Sequence, residues 1–260
     1  MRPRRLLQRV TIAGLDVDLL SERGVVRLVL DGVSSGDGGW VVTPNVDIAR
    51  QCAGDPACAA LVSRADVVVA DGTPLRWLAR LGGTAVPDRV TGSSLIFSLA
   101  EGCALEGRSI YILGGAPGVP VRAAAALQYR YRGLTVAGAA SPALGFDSRP
   151  AELAQTAAAV RAVDPDVVFV GLGFPRQERL IEQLTRELPG TWFIGCGAAI
   201  PMAAGELRRA PQWMQGFGLE WLFRLLLEPR RLWGRYLRDD LPYLAREAVR
   251  SVGGRRAGHR

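Results

Sequence analysis

Short runs of apolar residues alternate along the chain with longer stretches in which apolar positions recur every three or four residues. The apolar runs, of which "VVVA" at 67–70 and "VVFVG" at 167–171 are typical, have the length and β-branched content of buried strands. The stretches between them have the periodicity of helices that pack one face against a sheet. Repeated strand–loop–helix units predict an α/β fold of the Rossmann-like type, with a mostly parallel, doubly wound sheet.

The predicted elements follow one another without an internal repeat. A strand-like segment, "VTIAGLDVDLL", comes first, and the later strands contain "GGWVV", "ADVVVA", "SIYIL", "LTVAGAA", "DVVFVG" and "TWFIG". Helices are predicted at 21–33, at 46–53, at 56–64 and from about Ser93 onward, and further helices lie between the later strands.

In a parallel sheet the carboxyl ends of the strands lie along one edge, and ligands bind there. Several polar or glycine-containing segments directly follow predicted strands. They comprise Thr43 and Asn45, Asp71, the loop 114–118 that begins with Gly114 and Gly115, the segment 171–177 with Gly173, Arg176 and Gln177, and the turn 195–197. The sequence therefore predicts one site at this edge, where glycine-rich loops and helix N-termini can bind phosphate groups.

The pattern changes after residue 204, and we predict a catalytic α/β domain at 1–204 and a basic, amphipathic helical appendage at 205–260. The appendage holds 12 Arg and 6 acidic residues, so it carries nearly all of the net charge of +7. Four apolar residues have the spacing of one helix face: Leu219, Leu222, Phe223 and Leu226. Pro229 is expected to break or kink this helix. Trp, Leu and Arg together are typical of a membrane-surface helix, and packing on the domain with a solvated Arg face is an equal alternative, since both can hold for different parts of the segment.

The composition excludes several classes of function. The single histidine, His259, lies in a polar tail, so histidine-based catalysis and histidine metal sites are not expected. The chain has no lysine, which excludes Schiff-base chemistry and a Walker-type phosphate-binding lysine. The four cysteines lack metal-ligand spacing and are expected to be reduced and mostly buried. No apolar run is long enough for a transmembrane helix, and no signal peptide is recognised, so we expect a cytoplasmic protein.

Asp71 ends an apolar strand, where a carboxylate is costly unless it is used or paired. A catalytic role is favoured, and capping of the following helix is the alternative. Two Asp-x-Asp strings, "DVD" at 16–18 and "DPD" at 164–166, have the form of a metal-binding motif. The second precedes its strand and the first has no clear partner, so no metal site is predicted. The string "GLGFPR" lacks the last glycine of the dinucleotide fingerprint, which disfavours NAD.

Five segments, in order, resemble the WecG/TagA/CpsF glycosyltransferases, glycosyltransferase family 26. They are "TPNVDI", "ADVVVADGTPLRWLARLGG" with "PDRVTGSSL", "YILGGAPG", "PDVVFVGLGFPRQERLI" and "RRAPQWMQGFGLEWLFRLLLEPRRLWGRYL". The resemblance covers nearly the whole chain. It implies inverting transfer of a sugar from a UDP donor to a polyprenyl-diphosphate-linked saccharide at the cytoplasmic membrane face. It also implies that no metal or other cofactor is required, and that the product is a cell-surface polymer such as exopolysaccharide or teichoic acid.

The resemblance further implies roles for individual residues. Asp71 corresponds to the general base, and Thr43, Asn45, Arg89 and Gln177 correspond to polar residues of the substrate site. The arginines implied for the acceptor diphosphate and the membrane are Arg224, Arg231 and Arg235, with Arg230 as a neighbouring candidate. Two departures, Ile200-Pro201 and "DGTP", lie near the presumed sugar site and leave the identity of the donated sugar open.

The chemistry of this reaction agrees with the residues. UDP is a good leaving group, so one base that takes the proton of the acceptor hydroxyl is sufficient. Helix N-termini and arginines would neutralise the diphosphate. The expected partners are a UDP-sugar, a polyprenyl-diphosphate-linked acceptor and the inner face of the cell membrane; no nucleic acid is expected, and a homo-oligomer is left open. The alternatives are a Rossmann-like oxidoreductase or epimerase and a non-catalytic basic membrane-binding module.

Overall fold

A computed structural model describes residues 7–257 apart from Asp88, Gln212, Gln215 and Gly216, and the side chains of Arg231 and of residues 254–257 lie outside the description. The first two strands, β1 (Arg9–Ile12) and β2 (Leu15–Asp18), form an antiparallel hairpin. The sequence analysis predicted a single strand-like segment here, and that prediction is wrong because the segment forms two strands. Ala13 and Gly14 both have positive φ, 51° and 79°, which reverses the chain between two short strands.

The described residues form a central sheet of six parallel strands, which confirms the Rossmann-like α/β fold. In chain order the strands are β3 (Gly39–Val42), β4 (Val67–Val68), β5 (Ser109–Gly114), β6 (Thr135–Ala140), β7 (Val167–Gly171) and β8 (Trp192–Gly195). Their order across the sheet is β4-β3-β8-β7-β5-β6. The last strand of the chain therefore lies inside the sheet, between β3 and β7.

Helices cover both faces of the sheet, which explains why the strands are apolar at successive positions rather than at alternate ones. The helices are α1 (Glu22–Ser34), α2 (Val46–Gly54), α3 (Pro56–Ser63), α4 (Thr73–Leu81), α5 (Gly92–Glu106), α6 (Val119–Arg130), α7 (Pro150–Arg161), α8 (Arg176–Glu187) and α9 (Ala199–Ala203). In β7, Val167 and Phe169 belong to one apolar core, whereas Val168 and Val170 belong to the other. A doubly covered sheet requires this, since neighbouring side chains of a strand point to opposite faces.

After residue 205 the described chain is irregular up to Pro211 and mostly helical from Glu220 onward. Its elements are α10 (Glu220–Leu227), α11 (Pro229–Trp233), a π-helical segment (Gly234–Asp240) and α12 (Leu241–Ala257). The break at Glu228 confirms that Pro229 interrupts the helix. The π-helical segment contacts α2, and α12 contacts α4, so these helices pack on the part of the chain that precedes residue 205.

The predicted apolar face of α10 differs from the observed one. Leu225 is buried, whereas Leu226, which belongs to the predicted face, is 69% exposed. Six of the eight residues of α10 are apolar, so spacing alone does not determine which side of this short helix packs inward. None of the described helices has the length and hydropathy needed to span a membrane. The four cysteines are free and buried, as predicted.

Asp18 attaches the hairpin to the edge strand β4. Its carboxylate is almost fully buried and accepts hydrogen bonds from Arg9 Nε at 2.6 Å and from the Val68 backbone N–H at 2.8 Å. Asp16, in the same Asp-x-Asp string, is exposed and accepts a hydrogen bond from the Thr11 hydroxyl group at 2.8 Å. The two carboxylates thus have separate partners, and that of Asp18 is structural.

We expect Asp18→Ala to lower the free energy of unfolding by about 2–4 kcal/mol, because it leaves the Val68 N–H and the Arg9 guanidinium without their buried partner. Asp16→Ala is the matched control and should change this free energy by less than about 0.5 kcal/mol. Urea unfolding followed by circular dichroism measures both values. Equal effects of the two substitutions would contradict the structural role of Asp18.

Candidate active site

A cavity of about 550 Å³ opens at the carboxyl ends of the central strands. The sequence-predicted residues that line it are Thr43, Asn45, Asp71, Arg89, Gly115, Gly173, Gln177, Arg224 and Arg235. The sheet edge thus gathers residues that are far apart in the chain, and the helices after residue 205 close one side of the cavity.

The other predicted site residues lie elsewhere. Arg176 and Arg230 are exposed, Gly114 is buried, and none of the three is among the described residues of the cavity wall. The side chain of Arg231 falls outside the described residues. A continuous helix was expected to carry Arg224 and Arg235 on one face, but the chain breaks at Glu228, so Arg230 lies on α11 and Arg235 in the π-helical segment.

Asp71 is held in the loop between β4 and α4. Its backbone N–H donates to the Pro44 carbonyl oxygen at 2.8 Å, which joins this loop to the one that follows β3. Helix α4 has Gly72 at its N-cap position, and no side chain caps it. The alternative that Asp71 caps α4 is therefore wrong, and its carboxylate lines the cavity instead.

The surroundings of Asp71 make its carboxyl group more basic. Burial raises the pKa of Asp71 to about 7, and the carboxylate of Glu220 acts in the same direction. The guanidinium groups of Arg224 and Arg89 oppose this rise, as does a hydrogen bond from the Gly92 backbone N–H at the start of α5. A carboxyl group with a pKa near 7 can take a proton at neutral pH far better than an exposed aspartate can.

Arg89 is paired across the cavity wall with a residue that the sequence analysis missed. Its Nη1 atom donates to Glu220 Oε2 at 2.6 Å, and the two side chains are 15% and 14% exposed. Glu220 lies in the segment "GLEWLF", where its carboxylate interrupts an otherwise apolar run. A carboxylate within an apolar run is the feature by which the sequence could have pointed to Glu220. The sequence gives no indication that Arg89 is its partner, because the two residues are 131 positions apart.

Thr43 and Asn45 fix the loop after β3. The Thr43 hydroxyl donates to the Gly195 carbonyl oxygen at 3.3 Å, and this bond ties the ends of β3 and β8 together. The Asn45 side-chain oxygen caps α2 by accepting from the Ile48 N–H at 3.0 Å. Both residues therefore have a structural contact in addition to their place in the cavity wall.

Gln177 is held in one orientation by two hydrogen bonds at the start of α8. Its Oε1 atom accepts from the Gly173 backbone N–H at 3.2 Å, and its Nε2 atom donates to Glu178 Oε1 at 2.8 Å. Glu178 is fully buried, and burial raises the pKa of its carboxyl group to about 7. The sequence analysis missed Glu178, although a carboxylate on the same helix face as Ile181 is an available signal.

The two glycines after β5 have different roles. Gly114 has φ of 118°, and a Cβ atom there would lie 2.4 Å from the Gly171 carbonyl oxygen, so close approach of two strands requires this glycine. Gly115 lines the cavity, but its N–H already donates to the Gly171 carbonyl oxygen at 3.2 Å. Gly115 therefore contributes the shape of the wall rather than an open N–H group.

Two guanidinium groups in the cavity wall have unsatisfied donors. The Nε atoms of Arg224 and Arg235 are buried and have no hydrogen-bond partner among the described residues. Arg235 also lies 3.7 Å from Asp47 Oδ2 and 4.0 Å from Asp240 Oδ2, at the limit of an ion pair. Buried guanidinium donors of this kind are suited to a ligand with phosphate oxygens.

Further residues that the sequence analysis did not select complete the wall. They include Asp47, Trp77, Thr91, Ser93, Tyr236 and Asp240. The Thr91 hydroxyl caps α5 by accepting from the Ser94 N–H at 3.0 Å, so the N-terminus of a 15-residue helix faces the cavity beside Asp71. The string "TGSS" gives the signal of a capped helix, but only the fold brings that helix end to Asp71.

Two comparisons relate the chain to known proteins. A family model described as "Glycosyl transferase WecG/TagA/CpsF family" matches residues 10–257. The chain is also 30% identical over 200 residues to the N-acetylglucosaminyldiphosphoundecaprenol N-acetyl-beta-D-mannosaminyltransferase of Bacillus spizizenii (strain ATCC 23059 / NRRL B-14472 / W23), and the match covers 77% of this chain and 75% of that relative.

Proposed function

The chain belongs to the WecG/TagA/CpsF glycosyltransferase family, and we propose that it transfers a hexose from a UDP-sugar to a polyprenyl-diphosphate-linked saccharide with inversion of the anomeric centre. The observation that carries this proposal is the cavity that combines Asp71, whose pKa is raised to about 7, with the guanidinium groups of Arg89, Arg224 and Arg235. The name of the relative specifies a lipid-diphosphate-linked acceptor, which supports an acceptor of the same class here.

Asp71 is the general base of the proposed reaction. The acceptor hydroxyl oxygen attacks the anomeric carbon while its proton passes to the Asp71 carboxylate. The bond between the anomeric carbon and the UDP oxygen breaks, and UDP leaves with the electron pair. Attack on the face opposite to UDP inverts the configuration, so a single carboxylate is sufficient.

The negative charge that develops on UDP is neutralised by protein groups in this proposal. Arg89 and the N-terminus of α5 lie beside Asp71 and supply positive charge on the donor side. Thr43, Asn45, Gly173 and Gln177 supply the remaining wall of the donor site. Arg176 is exposed at the start of α8, where it can contact a ligand only from outside the described wall.

The helices after residue 205 are proposed to hold the acceptor at the membrane surface. Arg224 and Arg235 bring buried donors to the cavity, and these suit the acceptor diphosphate. Apolar side chains at the mouth are exposed: Trp77 is 45% and Leu241 is 53% exposed, and both line the cavity. Such side chains suit a lipid carrier, so we place the enzyme on the inner face of the cell membrane, with Arg230 and Arg231 near the lipid head groups.

The two alternative functions explain fewer of these features. An oxidoreductase or epimerase needs a nucleotide fingerprint that "GLGFPR" lacks, and a membrane-binding module needs neither a basic carboxylate nor a cavity. We therefore propose a role in the synthesis of a cell-surface polysaccharide.

Asp71→Asn should reduce turnover by about 10²–10⁴-fold, because the amide keeps the shape of the side chain but cannot accept the proton. In the parent enzyme, turnover should rise as the pH passes upward through about 7, since the base must be ionised to act. Steady-state transfer from a panel of UDP-sugars measures both effects. Asp55→Asn is the control, because Asp55 caps α3 outside the cavity wall and asparagine retains capping. A folded Asp71→Asn enzyme with normal turnover would contradict the assignment.

Transfer should continue in excess EDTA with a loss of less than about twofold, because arginines and helix N-termini replace a metal ion in this proposal. The measurement is the initial rate with and without EDTA, followed by addition of Mg²⁺ or Mn²⁺. Loss of activity in EDTA with recovery on metal addition would show that the proposed metal independence is wrong.

Arg224→Gln together with Arg235→Gln should lower kcat/KM for the lipid acceptor by about 10–100-fold, because each change removes a charge-assisted hydrogen bond to the diphosphate. The affinity for the UDP-sugar should change much less. The matched control is Arg186→Gln, which removes an exposed ion pair with Glu182 on α8. Steady-state kinetics with the lipid acceptor and titration with the UDP-sugar are measured on the same proteins. Equal losses of acceptor kcat/KM and of donor affinity would contradict the assignment of Arg224 and Arg235 to the acceptor.

A further inference from the structure

Glu220 is the one described carboxylate that α10 brings to the cavity wall. Its Oε2 atom accepts the hydrogen bond from Arg89 at 2.6 Å, and its Oε1 atom lies 3.9 Å from Arg209 Nε. The side chain is only 14% exposed, so this ion pair is weakly screened by solvent. None of the proposed steps of sugar transfer uses Glu220 directly.

The segment that carries Glu220 makes a close contact with the Thr73 side chain. Gly218, two residues before it, has φ of 74°, and a Cβ atom there would lie 2.6 Å from Cγ2 of Thr73. Thr73 is the first residue of α4 and follows Asp71 by two positions. The segment that carries Glu220 is therefore seated directly on the segment that carries Asp71.

We propose that Glu220 is a positioning residue for Asp71: its carboxylate holds the Arg89 guanidinium in the cavity wall and offsets the positive charge that would otherwise surround the base. This inference rests on the proposed function, since it assigns to Glu220 the tuning of the proposed general base. It also gives the helices after residue 205 a role in proton transfer, because Asp71 is fully basic only when Glu220 occupies its place in the cavity wall.

The charges around Asp71 show why one carboxylate matters. Arg224 on α10, Arg89 before α5 and the backbone N–H of Gly92 all favour the ionised form of Asp71. Burial acts against them most strongly, and the Glu220 carboxylate acts in the same direction as burial. On the other side of the same cavity lie Asp47 on α2 and Arg235 and Asp240 on the π-helical segment, and these pair with one another or with Arg50.

Removal of Glu220 would therefore weaken the base. The guanidinium charges of Arg89 and Arg224 would act on Asp71 without an opposing carboxylate, and they would lower its pKa. A carboxylate with a lower pKa takes the acceptor proton less readily, so turnover at the plateau of the pH profile would also fall. A purely structural tie between Glu220 and Arg89 would not move the pH profile.

The experiment compares Glu220→Gln with the parent enzyme in two measurements. In ¹³C-aspartate-labelled protein, the carboxyl resonance that disappears in Asp71→Asn reports the pKa of Asp71. Glu220→Gln should lower this pKa by about one unit or more. The acid limb of the kcat profile should move to lower pH by the same amount, and plateau turnover should fall by about three- to tenfold.

The matched control is Glu206→Gln. Glu206 forms an ion pair with Arg122, more than a third of its side chain is exposed, and it lies outside the described cavity wall. The Asp71 resonance and the acid limb should stay in place in this variant. Glu220→Asp keeps the charge, so it should restore the pKa of Asp71 toward the parent value.

An unchanged or raised pKa of Asp71 in folded Glu220→Gln protein would overturn the inference. If Glu220→Gln alone does not fold, removal of both partners of the ion pair decides in its place: the pKa of Asp71 in Arg89→Gln/Glu220→Gln should lie below its value in Arg89→Gln, and equal values would also overturn the inference. Failure of the proposed function is distinguishable. In that case Glu220→Gln would still lower the pKa of Asp71 as expected, but the parent enzyme would transfer no sugar from any UDP-sugar tested.

Discussion

The proposed active site depends on the electrostatic balance around the Asp71 carboxylate. Burial and Glu220 raise the pKa of this group, whereas Arg89, Arg224 and the Gly92 N–H lower it. With too much positive charge the carboxylate would be a weak base, and with too little it would remain protonated at neutral pH. The residues in this balance come from three separate regions of the chain, so the fold as a whole maintains it.

Close contacts between backbones keep the floor of the cavity in place. A Cβ atom at Gly114 would meet the Gly171 carbonyl oxygen at 2.4 Å, and one at Gly92 would lie 2.8 Å from the Cys196 Cα atom. The second contact brings the N-terminus of α5 against the end of β8, beside the loop of Asp71. The glycines therefore let two strands and a helix end meet, which is a more specific role than general loop flexibility.

The helices after residue 205 do more than add positive charge. They supply Glu220, Arg224 and Arg235 to the wall, and they are seated through the contact of Gly218 with Thr73. The break at Pro229 and the π-helical segment separate Arg224 and Arg235 from the exposed Arg230, so residues of one basic stretch have different surroundings. The proposed lipid-linked acceptor fits this arrangement, since Arg224, Arg235 and the exposed Leu241 at the cavity mouth all lie on these helices.

The sequence by itself determined the class of the fold, the order of its elements and the family. Apolar runs of strand length predict the parallel strands because both faces of this sheet are covered, and strand ends predict Thr43, Asn45, Asp71 and Gln177 as wall residues because the carboxyl ends of parallel strands share one edge. Only the tertiary structure decided which charges oppose one another. The pairing of Arg89 with Glu220, the burial of Glu178 and the reversal at Ala13 and Gly14 depend on backbone geometry and on contacts between distant residues, and local spacing carries no information about such contacts.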